Sequence, residues 1–190
     1  MAIKDFLKKN LLLVDGAMGT QIQGRNPGAQ AWGAYEGCNE WLNLSAPEII
    51  RDIHAAYFAA GSDAVETNSF GSSPVTLGEY NLAARAKDIS RAAAQIARGA
   101  ADAAAQKDGR PRFVLGSVGP GTRLATLGQI SFDDLYGGYQ EQMGGLLEGG
   151  ADGILIETCQ DLLQIKAATA AAKAAIGSRQ DKLIYVSVTV

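Results

Sequence analysis

The sequence predicts a parallel α/β fold of the (β/α)8-barrel type, and three observations predict it. Short aliphatic runs alternate strictly with helical stretches along the 190 residues. AAGSDAVET (59–67) is echoed by EGGADGILIET (148–158), each a helix stop, a small-residue turn, an aspartate, a hydrophobic run and then Glu-Thr. Polar residues fall at the C-terminal ends of successive runs, which is where barrel enzymes carry their chemistry, and this favours a barrel over a doubly wound sheet.

The elements follow in order. Strands are expected at Leu11 to Val14, Asp63 to Val65, Phe113 to Leu115, Gly153 to Ile156 and Leu183 to Val190; each is too short for a helix and apolar enough to be covered on both faces. PEIIRDIHAAYFAA, Pro47 to Ala60, reads as a helix with Ser45 as its cap and Gly61 as its stop. The alanine-rich segment Asn81 to Ala105 has high helix propensity, with Ile89 and Ile96 marking the inner face. Two more helices are expected over Phe132 to Glu148, stopped by Gly149-Gly150, and over Leu162 to Ala175, stopped by Gly177. A closed barrel needs eight strands and about 250 residues. Five strands make residues 1–190 the N-terminal part of a barrel domain, truncated after the fifth.

Composition narrows the partners. A formal charge of -3 and scattered Lys and Arg give no basic stripe for nucleic acid. No apolar run approaches the roughly 20 residues that cross a bilayer, and the N-terminus lacks the apolar segment of a signal peptide, so the chain reads as cytoplasmic, with no membrane partner. Cys38 and Cys159 lie far apart without CxxC spacing and are expected to be free thiols.

The chemistry is expected at the strand ends. LLLVDGAMGT (11–20) stops a hydrophobic run at Asp15 and follows it with Gly16 and Gly19. Glu66 and Thr67 end the second strand, Ser117 the third, and Glu157 and Thr158 the fourth. If the strands are neighbours, Asp15 and Glu157 form a mouth suited to a cationic group, since a buried carboxylate needs a cation, hydrogen bonds or a proton. Ser117 and Thr158 would line this pocket, Phe70 would give it an apolar wall, and glycines beyond the strand ends would let backbone approach a ligand. GSVGPG (116–121) lacks the Lys of a P-loop and the spacing of GxGxxG, which disfavours a phosphate cradle. His54 sits within a helix, away from the strand ends, and is expected to pack; Trp32, Tyr35 and Trp41 are expected to pack around the long first loop.

DGAMGT (15–20), GCNEWLNL (37–44), ETNSFG (66–71), GSVGP (116–120) and YGGYQEQMGGLLEGGADGILIET (136–158) together resemble the homocysteine S-methyltransferase family, in order over nearly the whole chain. The resemblance implies a zinc-dependent barrel that transfers a methyl group to the thiol of homocysteine to give methionine. It implies that Asp15 and Glu157 receive the substrate amino group, that Gly16 presents backbone to it, and that Thr67 and Phe70 line its pocket. It implies three zinc-binding cysteines beyond Val190, so that no metal ligand is expected within this chain, and methylcobalamin as a possible donor, with a corrinoid or pterin domain or protein as partner. The chain is then the start of a methyltransferase, one half of a split enzyme, or a non-catalytic amino-acid-binding or assembly module. Its apolar last strand favours a homo-oligomer or a partner chain that completes the barrel.

Overall fold

The computed structural model describes residues 1–189. Its elements run α1 (Ile3–Leu7), α2 (Met18–Arg25), α3 (Ala29–Trp32), α4 (Leu42–Ser45), α5 (Pro47–Ala60), β1 (Ala64–Glu66), α6 (Pro74–Leu77), α7 (Ala86–Asp108), β2 (Phe113–Val118), α8 (Phe132–Glu148), β3 (Gly153–Cys159), α9 (Leu162–Ile176) and β4 (Leu183–Val188). The four strands form one sheet in sequence order, every pair parallel, as strict βα alternation requires.

β1, β2 and the first part of β3 are apolar on both faces because each face is covered, whereas Tyr185 and Val188 of β4 are exposed. Val65, Val114, Val118, Ile154 and Ile156 face the layer built by α7, α8 and α9. Phe113, Leu115 and Leu155 face the other way, onto Ile3 and Phe6 of α1, whose Phe6 ring lies 5.2 Å from that of Phe113. Burying a large apolar side chain contributes about 1.5–3 kcal/mol, so this two-sided cover dominates the cohesion of the sheet. The helix layer is tight where glycine permits it. A Cβ on Gly145 of α8 would strike the Lys87 carbonyl of α7, and one on Gly149 would strike that of Arg91.

The echoed aspartates serve the N-terminal ends of the strands. The Asp152 Oδ2 accepts the Val114 amide at 2.8 Å and Nη1 of Arg98 at 2.9 Å. One unit earlier, Asp63 Oδ2 accepts the Leu13 amide at 3.0 Å while its Oδ1 accepts Nη2 of Arg110 at 2.7 Å. Each aspartate thus latches its strand to the preceding one, which sets the register of the repeat.

Several expectations change. The run Leu11–Val14 does not form a strand of the sheet: it meets β1 through a single parallel bridge, Val14 to Ala64, and Leu11 is 94% exposed. The Asp63 side chain takes the Leu13 amide that a longer ladder would have used. The fifth expected strand is β4, ending at Val188; Val190 lies outside the described residues. Ser45 does not cap α5. It ends α4, its hydroxyl donating to the Trp41 carbonyl, and α5 starts after Ala46 with Pro47 in its first turn, where the fixed φ and missing N–H suit a helix start. The Asn81–Ala105 helix begins later, at Ala86, because Asn81 takes a left-handed φ of 58° that ends the preceding turn. Gly61, at φ 117°, stops α5 as expected. No helix among the described residues is long and apolar enough to cross a membrane.

His54 packs inside, fully buried, with neither ring nitrogen hydrogen-bonded. Burial pushes its pKa down to about 4. The unfolded chain binds this proton at its ordinary value near 6.5, so His54 stabilises the fold fully above that pH and the contribution is lost as pH falls from about 6.5 to about 4. Replacing it with leucine should raise stability relative to the parent progressively across that window, by up to about 3 kcal/mol at pH 4. Urea melts of both proteins at pH 7, 5.5 and 4.5 measure this; a difference independent of pH would show that His54 does not titrate between the two states.

Candidate functional site

At the C-terminal end of the sheet lies a cavity of about 350 Å³, walled by the loop Gly16–Gly19, by residues 66–70, and by Ser117 and Glu157. The strands place its groups. β1 delivers Glu66 and Thr67, β2 delivers Ser117 and β3 delivers Glu157, and the parallel pairing brings their ends to one rim. Asp15 stands beside this wall, its Oδ1 accepting the Glu66 amide at 3.0 Å. The Asp15 amide donates to the Ala64 carbonyl at 3.1 Å, which holds this residue at the end of β1 although its own segment is not a strand.

Three carboxylates therefore share the rim, and no ion pair to any of them occurs among the described residues. Burial pushes Asp15 up to about 7; hydrogen bonds from backbone amides oppose this, and the Glu157 carboxylate adds to it. Burial likewise pushes Glu66 up to about 8, reinforced by the charges of Glu157 and Asp15. The Asp15 side chain on the Glu66 amide, the Ser117 hydroxyl on Glu157 and the β2–β3 pairing bring the three carboxylates to one rim, where the Glu157 charge acts on both of the others. Glu66 is the member that sequence reasoning left out of the candidate set. Its position in Glu-Thr, the same dipeptide that carries Glu157, was the available signal.

The hydroxyls brace this site. Ser117 Oγ donates to Glu157 Oε1, and the Ser117 amide donates to Thr67 Oγ1 at 3.0 Å. Thr67 Oγ1 also pairs with Ser69 Oγ at 2.6 Å, and Ser69 Oγ donates to the Ser117 carbonyl at 2.7 Å. Thr67 and Ser117 thus line the cavity and tie β1 to β2 at once. Gly16 lies on the wall, where a Cβ would come within 3.2 Å of the Tyr57 hydroxyl; that hydroxyl donates to the Ala17 carbonyl at 3.0 Å and fixes the loop. Phe70 is 44% exposed, its ring against Gly119, where an added Cβ would lie 2.7 Å from ring carbon. The glycine of GSVGPG therefore makes room for the apolar wall. Thr158 does not line the cavity: it sits at an irregularity in the β3–β4 pairing, with φ 58° and its side chain exposed.

Loop positions are set from a distance. Glu40, in GCNEWLNL, accepts the Gly71 amide at 2.7 Å through Oε1, next to Phe70. Asn43 Nδ2 donates to the Asn68 carbonyl at 2.8 Å, and Asn68 Nδ2 returns to the Asn39 carbonyl at 2.8 Å. Tyr35 and Trp41 pack nearby in the cluster of buried Cys38, their rings tilted by 56° with centroids 4.5 Å apart.

A zinc site does not fit the described residues. Among them no three His, Cys, Asp or Glu side chains converge where a metal ion could be held. Cys38 and Cys159 are free and buried in separate apolar clusters, and burial pushes both thiols up, Cys38 to about 11. Such thiols are poor sources of the thiolate that metals bind.

Comparison with known proteins gives a consistent result. The family model described as homocysteine S-methyltransferase matches residues 12–190. The methionine synthase of Mycobacterium tuberculosis is 47% identical over 176 residues, covering 93% of this chain and 14% of that protein. That of Mycobacterium leprae is 43% identical over 185 residues, covering 97% of this chain and 15% of that protein. The chain thus spans only a small part of the relatives it matches. The metallated form of the homocysteine methyltransferase MmuM from Escherichia coli superposes with a TM-score of 0.78 at 23% identity, over 99% of this chain and 66% of that one. Its apo form gives 0.71 at 24% identity, over 100% and 62%. These solved structures establish the fold, a (β/α)8 barrel of which this chain supplies part.

Raised carboxylates cost stability when they ionise. For Asp15 the folded pKa of about 7 exceeds its ordinary 3.8, so its contribution is favourable at acid pH and is lost as pH rises from about 4 through 7. Replacing Asp15 with asparagine, which keeps an acceptor for the Glu66 amide, should stabilise the ligand-free chain at pH 8.5 by about 1–3 kcal/mol and change little at pH 4. Thermal melts at the two pH values decide this; equal or lower stability of the variant at pH 8.5 would contradict the desolvation of Asp15.

Proposed function

The chain belongs to the homocysteine S-methyltransferase family, and on that premise we propose that its strand-end cavity binds the amino acid end of homocysteine for S-methylation to methionine. The observation that carries this reading is the cluster of Asp15, Glu66 and Glu157 without a protein cation. An ammonium group replaces the protons that burial would otherwise force onto Asp15 and Glu66, and it does so in a cavity of about 350 Å³, of a size for a small amino acid.

In this reading Asp15 and Glu157 receive the amino group, and Glu66 adds a third negative charge. Ser117 orients Glu157 through its hydroxyl. Gly16 opens the wall so that backbone reaches the substrate, and Thr67 and Phe70 line the side along which the carbon chain lies. Methyl transfer forms a sulfur–carbon bond as the bond between the methyl group and its donor breaks, its electron pair staying with the donor, and the thiol loses its proton. Zinc would favour the thiolate, but the described residues do not fit a zinc site, so the part assigned to this chain is binding and orientation.

Residues 1–190 then supply the first part of a homocysteine-binding barrel, completed by further βα units in the same polypeptide or in another chain. Two features support this: the chain aligns with 66% of a structurally similar barrel protein, and Tyr185 of β4, on the last strand of the sheet, is 54% exposed. For the whole protein, similarity to methionine synthases supports a corrinoid-borne methyl group as donor, and the two free cysteines suit a cytoplasmic setting.

Calorimetric titration with L-homocysteine tests the reading. Because an ammonium binds ionised carboxylates whose pKa values lie near 7 and 8, affinity should rise from pH 6 to pH 8, by up to about tenfold per pH step for each proton released. Asp15→Asn or Glu157→Gln should weaken binding at pH 8 about tenfold or more, and Asp15→Asn should flatten the pH dependence. Parent-like affinity in both variants would remove the carboxylates from the site.

A further inference from the structure

A second concave site lies at the opposite end of the strands, between α5 and α7. It has a volume of about 580 Å³, within the roughly 300–1,000 Å³ of small-molecule sites. Phe58 and alanines of the two helices give it an apolar floor, and Arg51, Lys107, Arg110 and Arg112 surround it with a single carboxylate, Asp108. Three of these four cations are paired, Arg51 with Asp52, Arg110 with Asp63 and Arg112 with Asp108, and among the described residues Lys107 alone of the four has no ion pair. A smaller cavity of about 280 Å³ shares Arg51, Gly99 and Ala100 with it and extends it along the helices.

One observation separates this groove from an ordinary helix–helix seam. Arg112 is buried, its side chain 2% exposed, with its guanidinium 5.6 Å from the Phe58 ring centroid. Its terminal nitrogens donate to the Ser62 carbonyl and to Asp108, yet its Nε–H has no acceptor. A buried charged donor left unmatched is a costly arrangement that an added acceptor relieves. Gly99 adds space to the groove: a Cβ there would meet nothing within 4 Å, as is also so at Gly137 and Gly144 of α8, and at this position the missing side chain leaves the groove unfilled.

We propose that this groove binds a small organic oxyanion, a carboxylate or phosphate carried on a compact apolar body. The anion lies among Lys107, Arg110 and Arg112, and the body rests on Phe58 and the alanines. Lys107 has no ion pair among the described residues, so it meets the anion without first breaking one; Arg110 is shared with Asp63. This assignment is independent of the homocysteine reading, because it uses none of the residues at the other rim.

Amide NMR titrations of the chain with phenylacetate, phenyl phosphate and the neutral phenylacetamide test it. Saturable shifts at Gly99 and Lys107 should appear with one or both anions, at least tenfold tighter than with the amide, and the tighter of the two identifies the oxyanion. Gly99→Leu should abolish these shifts while leaving the melting temperature unchanged or higher, because leucine fills open space and favours the helix. Lys107→Glu, an exposed change, should weaken anion binding at least fivefold. Absence of saturation by either anion, equal binding of phenylacetamide, or undiminished anion binding in Gly99→Leu or Lys107→Glu would overturn the proposal.

Discussion

Three acidic side chains held together without a counter-charge impose the central constraint on this molecule. Asp15, Glu66 and Glu157 come from separate segments; the parallel register of β1, β2 and β3 aligns the two glutamates, and the Asp15 amide on the Ala64 carbonyl holds Asp15 beside them. A mobile rim would let Asp15 and Glu66 move into water and return to ordinary acidity. The sheet forbids this, because its strands are clamped between the α7–α9 layer and α1, and because Thr67, Ser69 and Ser117 bind the strand ends to one another. The rim is therefore preorganised for positive charge at a cost to the empty protein, the arrangement expected where binding strength comes from groups that do not need to move.

The repeat in the sequence has different work at its two ends. The aspartates that open the hydrophobic runs, Asp63 and Asp152, are fully partnered: each receives a backbone amide from the neighbouring strand segment and an arginine. The glutamates that close the runs, Glu66 and Glu157, face the cavity, and among the described residues no arginine or lysine pairs with them. The same functional group is a register latch where its partners are supplied and a binding group where they are withheld. The C-terminal end of each strand is free for function because the N-terminal end already secures its place.

Much of this was legible before any coordinates. Runs covered on two faces announce strands of a parallel sheet, and α5, α8 and α9 fall close to where periodicity and glycine stops put them. The rim was legible too, since strand-end residues of a parallel sheet must converge. What escaped depended on partners remote in sequence. Leu11–Val14 has the composition of a strand, but it meets β1 through a single bridge, and its Leu13 amide goes to the side chain of Asp63, fifty residues on. The Ser45 signal was overridden by a proline two positions later, and Thr158 was turned out of the cavity by an irregularity in strand pairing that composition does not encode. Glu66 looked ordinary because a carboxylate becomes unusual only through desolvation and the charges of Asp15 and Glu157.

GCNEWLNL was legible as a motif but not as a device. None of its side chains lines the cavity; they act on residues that do. Asn43 and the Asn39 carbonyl grip Asn68 from both sides, and Glu40 anchors the Gly71 amide, so the short segment between β1 and α6 that carries Phe70 is held at three points by one upstream turn. Irregular backbone cannot satisfy its own polar groups as a helix does, so burying it requires outside donors and acceptors. The same contacts explain the sizes of the residues involved: a Cβ on Gly71 would lie 2.9 Å from Glu40 Oε1, and one on Gly119 would displace the Phe70 ring. The apolar wall is thus fixed by a carboxylate on one side and a missing side chain on the other. The geometry of the site belongs to the loop network as much as to the sheet beneath it.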